Sequence, residues 1–324
     1  MRGLALSTES SGFWRARPFR VTHFIKSRKV EKGDKERFFY IFMVPAFGIL
    51  FFLAFYPLGN AVYYSLHDWD LRLNSQFMKF VGLANYQRLA TDSRFINSLK
   101  TTAIWVAVTV LGATILGGGI LAPLFHGYTG RTTRTICLLF SVMPALLPRV
   151  GAAYMWRLMY SPSIGIINYF LSVLGVRPID FLAHPSYALF SVALIDVWQW
   201  GFLIAALMVI LIEEIPREVI EAGALDGARM WQIYRYLIFP IVLPPFLPLL
   251  FVKLMESLRT FDFIFVLTAG GPGTATETLD MYAYWQGIGS AGRISYASSM
   301  SVVMLVITMV FVTFVWRRSA RWRD

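Results

Sequence analysis

Four ionisable residues at three-residue spacing, Lys253, Glu256, Arg259 and Asp262, lie inside an otherwise apolar stretch. On a helix such neighbours share a face, so alternating signs let the ladder neutralise itself. Arg149 and Asp196 have no partner at that spacing. A charge deep in an apolar segment is costly, so these two either pair with each other or line a water-filled cavity. Tyr154, Trp156, Trp198, Gln199 and Trp200 stand nearby in sequence. Aromatic faces stack on the C–H faces of sugars, while amide and guanidinium groups bond hydroxyls. Arg149, Tyr154, Asp196, Trp198, Gln199 and Lys253 therefore form a candidate path for a polar, saccharide-like solute. An unpaired Arg149 would narrow this to an acidic, uronate-containing saccharide.

Other chemistries lack their residues. The sequence contains no G-x-x-x-x-G-K-[ST] and no Gly-Lys pair, so nucleotide cannot be held in a P-loop here. His23, His67, His126 and His184 are scattered without metal-ligand spacing. No nucleophile elbow occurs, and the single Cys137 excludes an intrachain disulfide. Gly117, Gly118 and Gly119 fall within an apolar run and read as a close helix contact rather than a phosphate cradle. No catalytic residue, metal site or cofactor is expected on this chain.

The elements that position these residues follow from composition. The 324 residues are 56% hydrophobic and 15% charged, against about 45–50% and about 25% in soluble domains. So little charge cannot cover a globular surface, and the excess apolar residues must face lipid. A soluble enzyme, a disulfide scaffold and a disordered chain are excluded together. Six stretches, 38–66, 98–125, 135–160, 187–212, 240–267 and 296–316, reach the length of a membrane helix. The fold class is an all-α integral membrane protein: a basic tail (1–37), a six-span domain (38–316) and a short basic tail (317–324).

Charge placement sets the orientation. Of the 30 Lys and Arg residues, nineteen fall in the two tails and in the loops 126–134 and 213–235; only six fall in the opposite loops. By the positive-inside rule both termini are cytoplasmic, and the net charge of +11 reflects anionic lipid rather than nucleic acid. The long basic tail before the first span argues against a secretory signal. Phe13, Trp14, Phe19 and Phe24 interleave with basic residues there, which suits an interfacial helix on the inner leaflet.

The cytoplasmic loop 213–239 reads as two short helices, with Pro216 in the first turn, Asp226-Gly227 at the turn between them and Pro240 closing the second. Ala222, Gly223, Ala224, Gly227 and Ala228 make a surface of little bulk, and Glu213, Glu218, Glu221 and Asp226 give it charge. The run 221–228, Glu-Ala-Gly-Ala-Leu-Asp-Gly-Ala, followed by Ile238-Phe239-Pro240, resembles the EAA loop of ABC importer permeases. Gly223 stands where that motif has its second alanine. Phe80-Val-Gly-Leu-Ala-Asn-Tyr86, Trp198-Gln-Trp200, Phe261-Asp262 and Leu267-Thr-Ala-Gly-Gly-Pro272 narrow the likeness to sugar-type permeases related to maltose and glycerol-phosphate importers.

That resemblance implies the type I importer permease fold, with Glu218, Glu221, Ala222, Gly223, Asp226 and Gly227 docking on a separate ATPase. It implies a second permease subunit in a heterodimer, two ATP-binding subunits that carry ATP and Mg²⁺, and an extracytoplasmic solute-binding protein. The outer loops 68–97 and 270–293, through Asn85, Tyr86, Gly270, Gly271 and Pro272, would meet that protein. The expected location is the bacterial inner membrane, and the rival reading is an ion-coupled transporter using Asp196.

Overall fold

The computed structural model describes residues 32–73, 78–127 and 130–320. The aromatic and basic tail expected to lie on the inner leaflet falls outside them. The chain divides at Tyr56–Pro57 into two units. The first, as far as it is described, is the leading part of one helix, α1 (Lys32–Ser65), with its side chains from Phe39 to Tyr56 largely apolar and exposed.

In the second unit, β1 (His67–Asp68) pairs antiparallel with β2 (Lys79–Phe80), His67 opposite Phe80. After α2 (Ala84–Thr91), α3 (Ser93–Thr114) runs through a π-helical turn, Ile115–Leu121, into α4 (Ala122–Gly127). There follow α5 (Arg131–Leu146), α6 (Arg149–Met159), α7 (Ile166–Val173), α8 (Ala188–Glu213) and α9 (Arg217–Leu225). Next, α10 (Met230–Ile233) continues through a π turn, Tyr234–Ile238, into α11 (Phe239–Leu258). Then come α12 (Asp262–Leu267), α13 (Leu279–Tyr284) with a π turn at Trp285–Gly289, and α14 (Ile294–Ala320).

Five of the expected six spans are helices long and apolar enough to cross a bilayer among the described residues. The third is not one helix. Its halves, α5 and α6, meet at 99°. Leu147 precedes Pro148 and is extended, with φ −72° and ψ 130°, because a following proline disfavours the helical region. The carbonyls at this break are not left bare in the apolar interior: Gln199 Nε2 donates to Pro144 O at 2.9 Å and to Leu147 O at 3.2 Å.

The fifth span is also displaced from its expected 240–267. It starts at Met230 and ends at Leu258, so Pro240 does not close a helix but stands in the first turn of α11. The preceding π turn has already displaced the regular ladder, and a proline in a first turn has no intrahelical donor to lose. Arg259, with φ −108° and ψ 34°, ends α11, and Asp262 opens α12.

The centre of the unit is α8. Of its apolar window 61% is buried, against 22% or less in the other spans, and α3, α4, α5, α11 and α12 all pack on it. The glycine run works as a close contact: a Cβ on Gly117 would lie 2.3 Å from the Gly201 carbonyl, and one on Gly201 2.8 Å from Leu116. Backbones meet there at a distance only glycine permits.

Candidate functional site

The ionisable residues of the apolar interior do pair, with partners other than those expected. Lys253 Nζ on α11 donates to Asp196 Oδ1 on α8, and both side chains are buried, at 0% and 1% exposure. The Lys253 ammonium also stands 5.1 Å from the Trp200 ring centre. One helical turn on, Glu256 Oε2 accepts from Arg149 Nη2 on α6 at 2.6 Å. The self-neutralising ladder is thus replaced by two bonds between helices, and of the two readings of Arg149 and Asp196 the mutual pair does not form. The break in the third span is the reason: it turns Arg149 onto the start of α6, against Phe263 and α11.

Arg149, Gln199, Trp200 and Glu256, with Ala145, Leu147 and Leu203, line a cavity of about 260 Å³ at this bend. Trp198 turns away from it and packs edge-on to Trp156, ring centres 5.5 Å apart. Tyr154 is exposed and lines a different cavity of about 660 Å³ with Arg157, Asp180, Thr268, Gly271 and Pro272. Of the six path residues, Arg149 and Gln199 therefore reach one cavity wall, and Asp196 and Lys253 seal the core behind it. Glu256, read in sequence as part of the charged ladder, and Trp200, read as one of the nearby aromatics, belong to that wall.

At the α9 end, the sequence expectation of a helix and turn is met. Gly227 has φ +79°, which lets Gly227 N reach Ala224 O and Ala228 N reach Gly223 O, each at 3.1 Å. Glu218, Glu221, Ala222, Asp226 and Gly227 are exposed. Leu225 on the same turn is 88% exposed, the most exposed large apolar side chain among the described residues.

Gly223 departs from expectation. It is buried, and it faces Ile233 and Leu237 instead of the outer surface. A Cβ there would meet Leu237 at 3.4 Å, an ordinary contact. Glu213 is also engaged, accepting from Arg134 Nη1 at 2.8 Å. The Tyr234 hydroxyl and His126 Nδ1, 2.9 Å apart, tie the π turn to the end of α4.

At the opposite end, Asn85 is buried, and its Nδ2 donates to Ser65 O at 2.9 Å and His67 O at 2.8 Å. Tyr86 donates to Ser65 Oγ at 2.7 Å. Asn85 thus braces the loop from within, and the half-buried Tyr86 ties to the same point. Gly270 is buried too, and Thr276 Oγ1 donates to Gly271 O at 2.7 Å, leaving only Gly271 and Pro272 on a cavity wall. Asp92 caps α3 and accepts from the hydroxyls of Tyr282 and Tyr296, each at 2.6 Å. Arg94 grips Glu277 through two bonds of 2.7 Å.

This arrangement of a bundle with a protruding small-residue turn has known counterparts. Residues 114–322 match the family described as the binding-protein-dependent transport system inner membrane component. The trehalose/maltose transport system permease protein MalF of Thermococcus litoralis is 30% identical over 305 residues, covering 94% of this chain and 98% of that protein. The sn-glycerol-3-phosphate transport system permease protein UgpA of Pectobacterium atrosepticum is 32% identical over 289 residues, 86% of this chain and 94% of that one. In fold, the chain is similar to a chain from the crystal structure of a bacterial ABC transporter involved in the import of the acidic polysaccharide alginate. The TM-score is 0.76 at 21% identity, over 89% of this chain and 96% of that chain. With a family match over most of its length and relatives covered almost end to end, this chain belongs to the family of binding-protein-dependent transport system inner membrane components.

Proposed function

We propose that this chain is the permease subunit of an ATP-driven, binding-protein-dependent saccharide importer. It lies in the bacterial inner membrane with both termini in the cytoplasm. A second, different permease subunit completes the path, two ATP-binding subunits hold ATP and Mg²⁺, and an extracytoplasmic solute-binding protein delivers the sugar. The permease itself carries no catalytic group.

One observation carries this reading. The exposed turn around Glu221 is joined through α10, the π turn and α11 to Glu256 on the cavity wall, with only a short turn between α9 and α10. Residues 230–258 form a rod of about 43 Å at 1.5 Å per residue. ATP binding that draws the two ATPase subunits together moves the docked turn, and the rod carries that motion to the cavity. The two orientations of the cavity are then states whose populations the nucleotide biases. Asp196 suits ion coupling poorly, since it is sealed against Lys253.

The test is reconstitution of the full complex in proteoliposomes, with uptake and ATP hydrolysis measured side by side. Glu221→Lys, on the exposed docking turn, is expected to reduce binding-protein-dependent uptake at least tenfold while the permease remains inserted. Full uptake by this variant would overturn the coupling role of the turn.

A further inference from the structure

Arg149 and Glu256 differ from the buried Lys253–Asp196 pair in what they can meet. Asp196 and Lys253 are sealed, whereas Arg149 and Glu256 are 23% and 49% exposed on the wall of a cavity. A sealed pair fixes the packing of α8 on α11. An open pair confronts whatever enters the cavity, because charges at this depth face water or solute and not hydrocarbon.

A guanidinium such as that of Arg149 is a strong carboxylate receptor, offering parallel N–H donors. Here one of those donors, Arg149 Nη2, already bonds an internal carboxylate at 2.6 Å. The two cations and two anions of the cluster balance, so the wall offers no net charge to an incoming solute. An anionic saccharide would have to compete with Glu256 for Arg149, bringing two carboxylates close enough on the cavity wall to repel each other. A neutral saccharide needs no displacement: it can lie on the Trp200 ring, with hydroxyls near Gln199 and the Arg149–Glu256 pair.

We propose that Glu256 sets the charge specificity of the transport path, acting as a built-in occupant of the Arg149 anion site that admits neutral saccharides and turns away acidic ones. The proposal rests on the importer reading above. It reverses the expectation of an acidic cargo, whose premise was an unpaired Arg149.

The test uses the assembled complex of permeases and ATPases without the solute-binding protein, whose own selectivity would mask the effect. Equilibrium binding is measured for two labelled oligosaccharides of equal length, one neutral and one ending in a uronate. The wild-type complex is expected to favour the neutral sugar at least tenfold. Glu256→Gln should strengthen uronate binding at least tenfold, and this gain should shrink as salt rises. Arg149→Gln should weaken uronate binding further, and the double variant Arg149→Gln/Glu256→Gln should bind both sugars alike.

A wild-type preference for the uronate, or a preference unmoved by Glu256→Gln, overturns the proposal. Should Glu256→Gln not assemble, Arg149→Gln tests the same charge logic from the other side, and an unchanged preference there is equally fatal. Failure of the wild-type complex to take up any saccharide, with its binding protein present, would strike the importer reading itself and the specificity role with it.

Discussion

Lys253 and Asp196 illustrate how a residue's type can be plain in sequence while its partner is not. Both are ionisable groups in apolar runs, and both proved to be paired. Their partnership depends on how α8 and α11 cross, which residue spacing within one helix cannot reveal. Removing one member of a fully buried pair leaves an uncompensated charge, with a typical cost of about 3–5 kcal/mol. Lys253→Met is therefore expected to lower the thermal stability of the purified subunit sharply. The double variant Asp196→Leu/Lys253→Met should recover most of that loss, which a thermal-shift measurement in detergent can check. Gln199 teaches the same lesson in another way. It was read as a donor to sugar hydroxyls, yet its amide nitrogen is committed to two backbone carbonyls at the break in the third span. The readable signs of that break were Pro144 and the Leu147-Pro148 step.

Among elements, those with strong local chemistry were the most legible. The α9 helix and its turn were expected from Pro216 and Asp226-Gly227, and both are present because glycine accepts the positive φ that closes the turn. Which face of α9 meets its neighbour was not legible, since Ala222, Gly223 and Ala224 in its second half give little periodic contrast. The two glycines of this element consequently have opposite expectations. Gly223→Ala finds an ordinary contact with Leu237 and should stabilise the helix by roughly 0.5–1 kcal/mol with coupling retained. Gly227→Val must hold a branched residue at φ +79°, at a cost of about 1–2 kcal/mol, and should uncouple ATP hydrolysis from uptake. Comparing hydrolysis and uptake in the two variants separates a helix that is merely better formed from a turn that is lost. The fifth span resisted reading for a different reason. Four prolines argue for a broken helix, but a π turn and the packing of α11 on α8 carry it unbroken from Met230 to Leu258.

Across the second unit, polar ties gather at the α13 end. Asp92 joins the start of α3 to Tyr282 on α13 and to Tyr296 on α14, while Arg94 reaches Glu277. Burial alone would raise the Asp92 carboxyl, but the two tyrosine hydroxyls and the amides of Phe95 and Arg94 outweigh it and hold it below its ordinary value. A depressed carboxyl contributes stability above the unfolded pKa near 3.8 and loses it as pH falls through the lower folded value. Asp92→Ala should thus cost roughly 2 kcal/mol at neutral pH and flatten the acid limb of the stability curve below about pH 4. A melting series from pH 3 to pH 7 on both forms is the check. None of these ties was legible in sequence, because each joins residues more than 180 positions apart.

The π turn at Tyr234–Ile238 has a geometric corollary for such a molecule. It holds one residue more than an α turn would, and so offsets the azimuth of everything beyond it by about one residue's rotation, near 100°. The docking turn and Glu256 therefore face directions set by that offset. Moving the extra residue along the rod would rotate the segment between its old and new positions while keeping the rod whole. Under the proposed coupling, an axial push on the exposed turn is thereby converted into twist at the cavity that Glu256 lines, much as a screw thread turns under load.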